Sequence, residues 1–172
     1  MEQQMNEVAT SLMIQLNVAG ESKFLTDSGN HPAWFAQAVS QILALTGDDP
    51  IVTAGHTLEG YDLASAGGHT DSSTFGRIQV LTENLLVVSD FAAPNDVKTT
   101  AIPLRDLTAV RITNVTAIGK TDGGHDWPTD IRFEIDVAGS TFIFPPGPEA
   151  AWHQQNELPA AFAAVRAALQ RK

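Results

Sequence analysis

Along this chain the spacing of apolar residues changes twice. From residue 51 to residue 144 it is close to two, and on either side it is three to four. The first spacing suits half-buried strands and the second amphipathic helices. Met5, Val8, Leu12, Leu16 and Ala19 mark a helix over 1–19. Leu12, Ile14, Leu16 and Val18 also alternate, so helix and strand both remain open for 11–19, with helix the better fit. "ESKFLTDSGN" is turn-rich. "HPAWFAQAVSQILALTG" reads as a helix that starts at Pro32, where a missing N–H does no harm, and closes at Gly47. Trp34 or Phe35, Ala38, Val39, Ile42 and Leu45 form its apolar face, and "DDP" at 48–50 ends it.

The strands expected next are 57–65, 74–81, 85–88, 99–103, 107–114, 130–137 and 141–144. Glu83 and Asn84 form the turn between the second and third, Asn84 being a residue that tolerates positive φ. In 107–114, Val110 and Ile112 face inward and Arg111 and Thr113 outward. The stretch 130–137 alternates most cleanly, with Ile131, Phe133, Ile135 and Val137 in and Arg132, Glu134 and Asp136 out. After "PPGP" a short helix over 148–154 presents Trp152. A second, capped by Asn156 with Pro159 in its first turn, carries the stripe Leu158, Phe162, Val165, Leu169, with Ala161 and Ala168 beside it. Such a stripe is unstable in water and must pack on the sheet.

Seven short antiparallel strands and one closing helix make an α+β chain. The hairpin Gly76, Ile78–Leu81, Thr82–Glu83–Asn84, Leu85–Val88 and the later "TTAIPLRDLTAVRI" resemble bacterial pleckstrin-homology (PH)-like domains over residues 55–171. Members often carry an Arg just after the turn, where this chain has Asn84 and Leu85. The resemblance implies a seven-stranded PH-like barrel plugged by the C-terminal helix. That gives a two-helix N-terminal appendage at 1–49, to dock on its own barrel or on another subunit, and a barrel domain at 50–172.

Charge and chemistry narrow the functions. The net charge is −10, with six acids and one base in residues 1–50 and the remaining fourteen acids and nine bases after them. No basic cluster is present to displace counterions from phosphates, so a nucleic-acid partner is not expected. There is no cysteine, and therefore no disulfide or thiolate chemistry. The first residues, "MEQQMNEVATS", lack the basic and apolar regions of a secretory signal, and the expectation is a soluble cytoplasmic chain. Phosphoinositide binding, often attached to the PH-like fold, uses bases in the first hairpin. Residues 51–76 hold none and offer Glu59, Asp62 and Asp71 instead, with Arg77 and Lys98 isolated beyond. Anionic lipid binding is therefore a minor alternative.

"GGHTD" and "GGHD" place His69, Asp71, His125 and Asp126 in two polar loops as candidate metal ligands, but neither pair has a recognised ligand spacing. A metal-dependent or small-molecule enzyme built on loops 66–73 and 115–129 is the alternative from another class. No nucleophile or phosphate-cradling motif accompanies them, and no cofactor is expected. Trp127, beside Pro128, and Trp34 are the candidate interaction residues. The reading as a whole is a non-catalytic binding or assembly module with a protein partner or self-association. A peptide would add as a strand to an exposed sheet edge, or enter the groove between the last strand and the terminal helix.

Overall fold

Asn17 shows how side-chain chemistry shapes the beginning of the fold. It sits near the end of helix α1 (Glu2–Val18), and its Oδ1 accepts the backbone N–H groups of Phe24 at 2.6 Å and Leu25 at 3.0 Å. The chain is thereby turned back, and Phe24 is delivered to the core, where it stacks on Phe35 at 4.8 Å and meets Trp34 edge-on. The structure is a computed structural model that describes residues 2–20, 22–25, 31–58, 75–92, 96–117, 130–147 and 152–171, with the side chains of all but 2–6 and 152–155. Residues 11–18 are helical, the first of the two readings left open.

Helix α2 (Ala33–Thr46) starts directly after Pro32 and stops at Gly47, whose φ of 57° suits a residue without a side chain. Its buried face is Trp34, Phe35, Ala38, Val39 and Ile42, while Leu45 is exposed. Trp34 has no exposed surface and stacks on Phe91 at 4.3 Å. Its place as an interaction candidate is thus corrected: an indole sealed in the core presents nothing to a partner.

Seven strands follow: β1 (Ile51–His56), β2 (Phe75–Thr82), β3 (Leu85–Ala92), β4 (Asp96–Pro103), β5 (Leu107–Asn114), β6 (Arg132–Val137) and β7 (Ser140–Phe144). Among the described residues they form two antiparallel sheets, ordered β1-β2-β3-β4 and β5-β6-β7, and the single closed barrel expected from the resemblance is not formed. The break comes after β4. Pro103 carries no N–H to continue a ladder, and a 3-10 turn at Leu104–Asp106 carries the chain off to the second sheet. β1 lies earlier than the expected 57–65. Residues 53–56 are buried on both faces, so the alternation that marks a half-buried strand is missing there. Residues 57 and 58 are not strand, and 59–65 fall outside the described residues.

The four-stranded sheet is covered on both faces. Ala54, Ile78, Val80, Val87, Phe91 and Val97 pack against Leu12, Leu16, Phe24 and the inner face of α2. Gly76 lets the Phe91 ring lie against the backbone, since a Cβ there would come within 2.9 Å of Cζ. The opposite face gives Leu81, Leu86 and Val88 to a second core with Leu107, Phe133, Ile135, Val137, Phe142 and Phe144. The N-terminal helices therefore dock on this chain's own sheet and share its core.

Helix α3 (Trp152–Gln170) closes the second core with Leu158, Ala161, Val165 and Ala168, and packs against β1, β5 and the 3-10 turn. The buried stripe is centred on the alanines, with Phe162 and Leu169 at its half-buried margins. α3 is one continuous helix, not a short helix followed by one capped at Asn156. Pro159 withdraws one N–H and crowds the carbonyl of residue 155, a cost of about 3 kcal/mol, and the unbroken apolar stripe offsets it.

Candidate interaction surface

Among the described residues β5 is an edge strand: the turn before it leaves the first sheet, and β6 alone pairs with it. Its ladder slips between Leu107 and Ala109 and again between Ile112 and Asn114. The first slip keeps both Leu107 and Val110 on the inward side, opposite Val137 and Ile135. Ile112 pairs with Phe133 on that same side. Phe133 is fully enclosed, stacked on Phe144 at 5.1 Å and edge-on to Phe162 at 5.5 Å. Ile112, however, is 50% exposed. An inward-facing isoleucine lies half bare at the end of a strand that, among the described residues, is paired on one side alone, so the expectation that it is covered does not hold.

The other edges are guarded. β7 is five residues long and runs into Pro145 and Pro146, which have no N–H to offer. β4 is packed by α2, and its Thr99 Oγ1 donates to Gln41 Oε1 at 2.7 Å. β1 is flanked by α1 and α3. β5, eight residues long, is packed by α3 but leaves its far end, at Ile112, half exposed. Asn114 anchors its end, with Nδ2 donating to Oδ2 of Asp130 at 2.9 Å; Asp130 holds a φ of 50°, which aspartate tolerates.

The outer face of the second sheet is polar. Arg111 grips Asp136 with two bonds of 2.7 and 2.8 Å, and its Nε reaches Glu134 at 3.4 Å. Thr141 Oγ1 donates to Asp136 at 2.7 Å. Hydrogen bonds from Arg111 and then Thr141 hold the Asp136 carboxyl below its ordinary range, and the Arg111 guanidinium is raised in turn. This is a self-satisfied network on a solvated face. Ile143 is the apolar residue beside it, half exposed.

The two bases weighed for lipid headgroups are each beside a carboxylate. Arg77 Nε lies 2.6 Å from Asp90 and its guanidinium sits over the Phe142 ring; Lys98 Nζ lies 3.4 Å from Asp96. His69, Asp71, His125, Asp126 and Trp127 lie outside the described residues, as do nearly all of the two loops that carry them. Among the described residues no group of three His, Asp or Glu is placed to hold a metal ion, and no helix is long and apolar enough to cross a membrane.

A second surface went unnoticed in the sequence. Two turns of α1, the end of α2 and the start of β1 enclose a groove of about 700 Å³ lined by Val8, Leu12, Leu43, Ile51 and the Asp48–Asp49 pair. Comparison of the chain with family models, with curated proteins and with solved structures finds no match in any of the three.

Proposed function

We propose that this chain is a non-catalytic protein-binding module of the PH-like kind, in which the free edge of β5 takes up an extended peptide as an added strand. A four-stranded meander, a three-stranded meander and a helix packed across both, in that order, support the PH-like reading. The observation that carries the binding reading is Ile112, an inward-facing apolar side chain left half bare on an edge that no other described strand pairs. An added strand would cover it and pair the outer N–H and C=O groups of β5. The backbone would supply most of the affinity, and apolar contact with Ile112 the selectivity.

An array of ten-residue synthetic peptides tests this. The reading expects captured peptides to alternate apolar and polar residues. Ile112→Lys should weaken them at least about tenfold, while Phe75→Lys, on an exposed residue of another strand, should not. An array that captures nothing, or capture indifferent to Ile112→Lys, overturns it. Sedimentation of the full chain separates a peptide partner from self-association through the same edge.

A further inference from the structure

The groove in the helix layer has the size of a ligand site and a one-sided chemistry. Its volume, about 700 Å³, falls within the range of sites that hold small ligands or peptide side chains. Leu12, Leu43, Pro50 and Ile51 give it an apolar floor, and Val8 stands on its rim 42% exposed. The remaining lining is Ser11, Gln15, Thr46, Gly47, Asp48 and Asp49, with no Lys or Arg among the described residues there.

The polar groups are set to accept. Asp49 is already oriented: its Oδ2 accepts from Thr82 Oγ1 at 3.1 Å, and Asn84 Nδ2 lies 3.0 Å from its Oδ1. A carboxylate so held keeps lone pairs for a further donor. Gln15 donates one of its two amide N–H groups to Glu157 Oε1 at 2.8 Å, and its amide oxygen is a further acceptor. Asp48 is exposed beside them. A ligand that fits therefore brings apolar groups and hydrogen-bond donors, with positive charge.

We propose that this groove docks a basic, amphipathic helical segment of a partner protein, which sets apolar side chains between Val8 and Leu43 and lays Lys or Arg beside Asp48 and Asp49. The groove runs along two turns of α1, roughly 10 Å, and is partly open to solvent, so an apolar helix face could enter it as in helix-in-groove recognition. Charge decides among occupants. Residues 1–50 carry six acids and one base, and a second copy of the chain, itself at −10, would be repelled. This site belongs to the helix layer and does not depend on the β5 reading.

The test uses the full chain and a labelled 18-residue helix of Leu and Lys, with Leu at helical spacing, against a Leu/Glu helix of the same pattern. The Leu/Lys probe is expected to bind at least about tenfold tighter than the Leu/Glu probe, and Val8→Asp and Asp48→Lys each to weaken it about tenfold. Asp106→Lys makes the same charge change on an exposed turn elsewhere and should alter affinity less than about twofold. Circular dichroism checks that each variant is folded, and Ser11→Lys, also exposed, stands in for Val8→Asp if that variant is not. Equal loss from Asp106→Lys and Asp48→Lys would reduce the binding to general attraction and overturn the proposal. So would equal affinity for the two probes, displacement of the peptide by a simple alkylamine at the same concentration, or a dimer whose formation excludes the probe.

Discussion

Gln15 on the first helix donates from Nε2 to Oε1 of Glu157 on the last, at 2.8 Å. Thr53 of β1 donates to the other oxygen at 3.0 Å. One half-buried carboxylate thus ties the helix layer, the first sheet and α3 together around the β1 edge. Glu157→Ala is expected to lower the unfolding free energy by about 1–3 kcal/mol, because it strands two donors at once. Because the residues share a partner, Gln15→Ala should add little once Glu157 is gone. Urea titrations of the two single variants and the double variant check this; strictly additive losses would mean the tie carries no energy.

His56 makes stability depend on acid. It is buried at the end of β1, edge-on to Phe24 at 4.8 Å. Burial lowers its pKa from 6.5 to about 4; the carbonyls of Leu16 and Leu58 pull the other way but complete no well-formed hydrogen bond to the ring. Well above pH 6.5 the ring is neutral whether the chain is folded or not, and the contribution is constant. Between about 6.5 and 4 the unfolded chain takes up the proton first, so stability falls, by about 3 kcal/mol in all, and levels off below. Denaturation from pH 7.5 to pH 4 should show this limb, and His56→Leu should flatten it.

The β2–β3 turn is held by a threonine. Neither Glu83 nor Asn84 has a positive φ; among the described residues the non-glycines that do are Asp130 and Ala138. Thr82 Oγ1, fully buried, accepts from the N–H of Leu85 at 2.9 Å and of Asn84 at 3.2 Å, and lies 3.1 Å from Asp49 Oδ2. Thr82→Val keeps the shape and removes those partners, and is expected to cost about 2 kcal/mol. Asn84→Gly should give no gain, whereas a positive-φ turn would have been stabilised by it. Thermal melts of both variants distinguish the two geometries.

What the sequence disclosed follows from where water touches the sheets. β6 and β7 alternate because one face of each is solvated, and their ranges are readable within about two residues. β1 has no such face beyond Val52, and alternation does not mark it; of the expected strand at 57–65, residues 57 and 58 are not strand and the rest lies outside the described residues. Phe24 lay in a stretch rich in turn residues, and its burial depends on an Asn17 bond that spacing does not encode. Ile112 lies on the inward side, as its position in the alternation predicts, but its exposure depends on β5 having no second neighbour among the described strands, a property of the assembled sheet. The groove is assembled from residues 8–15 and 43–51, so the "DDP" that lines it read only as the end of a helix.

The β6–β7 hairpin offers the cleanest test of backbone geometry. Val137 pairs with Ser140, and the two residues between, Ala138 and Gly139, have φ of 49° and 79°. Two positive-φ residues are what the type I′ hairpin turn demands, whose twist matches that of the strands. Glycine meets this freely and alanine does not, since its Cβ crowds the following carbonyl. Ala138→Asn is therefore expected to raise stability by about 0.5–1 kcal/mol, asparagine being better suited to this region. Gly139→Ala should lower it by about 1 kcal/mol. A Cβ at 139 would meet nothing within 4 Å, so that loss would be purely conformational. Chemical denaturation of both variants settles the matter: in an unprimed turn, with negative φ at both positions, Gly139→Ala would stabilise and Ala138→Asn would not.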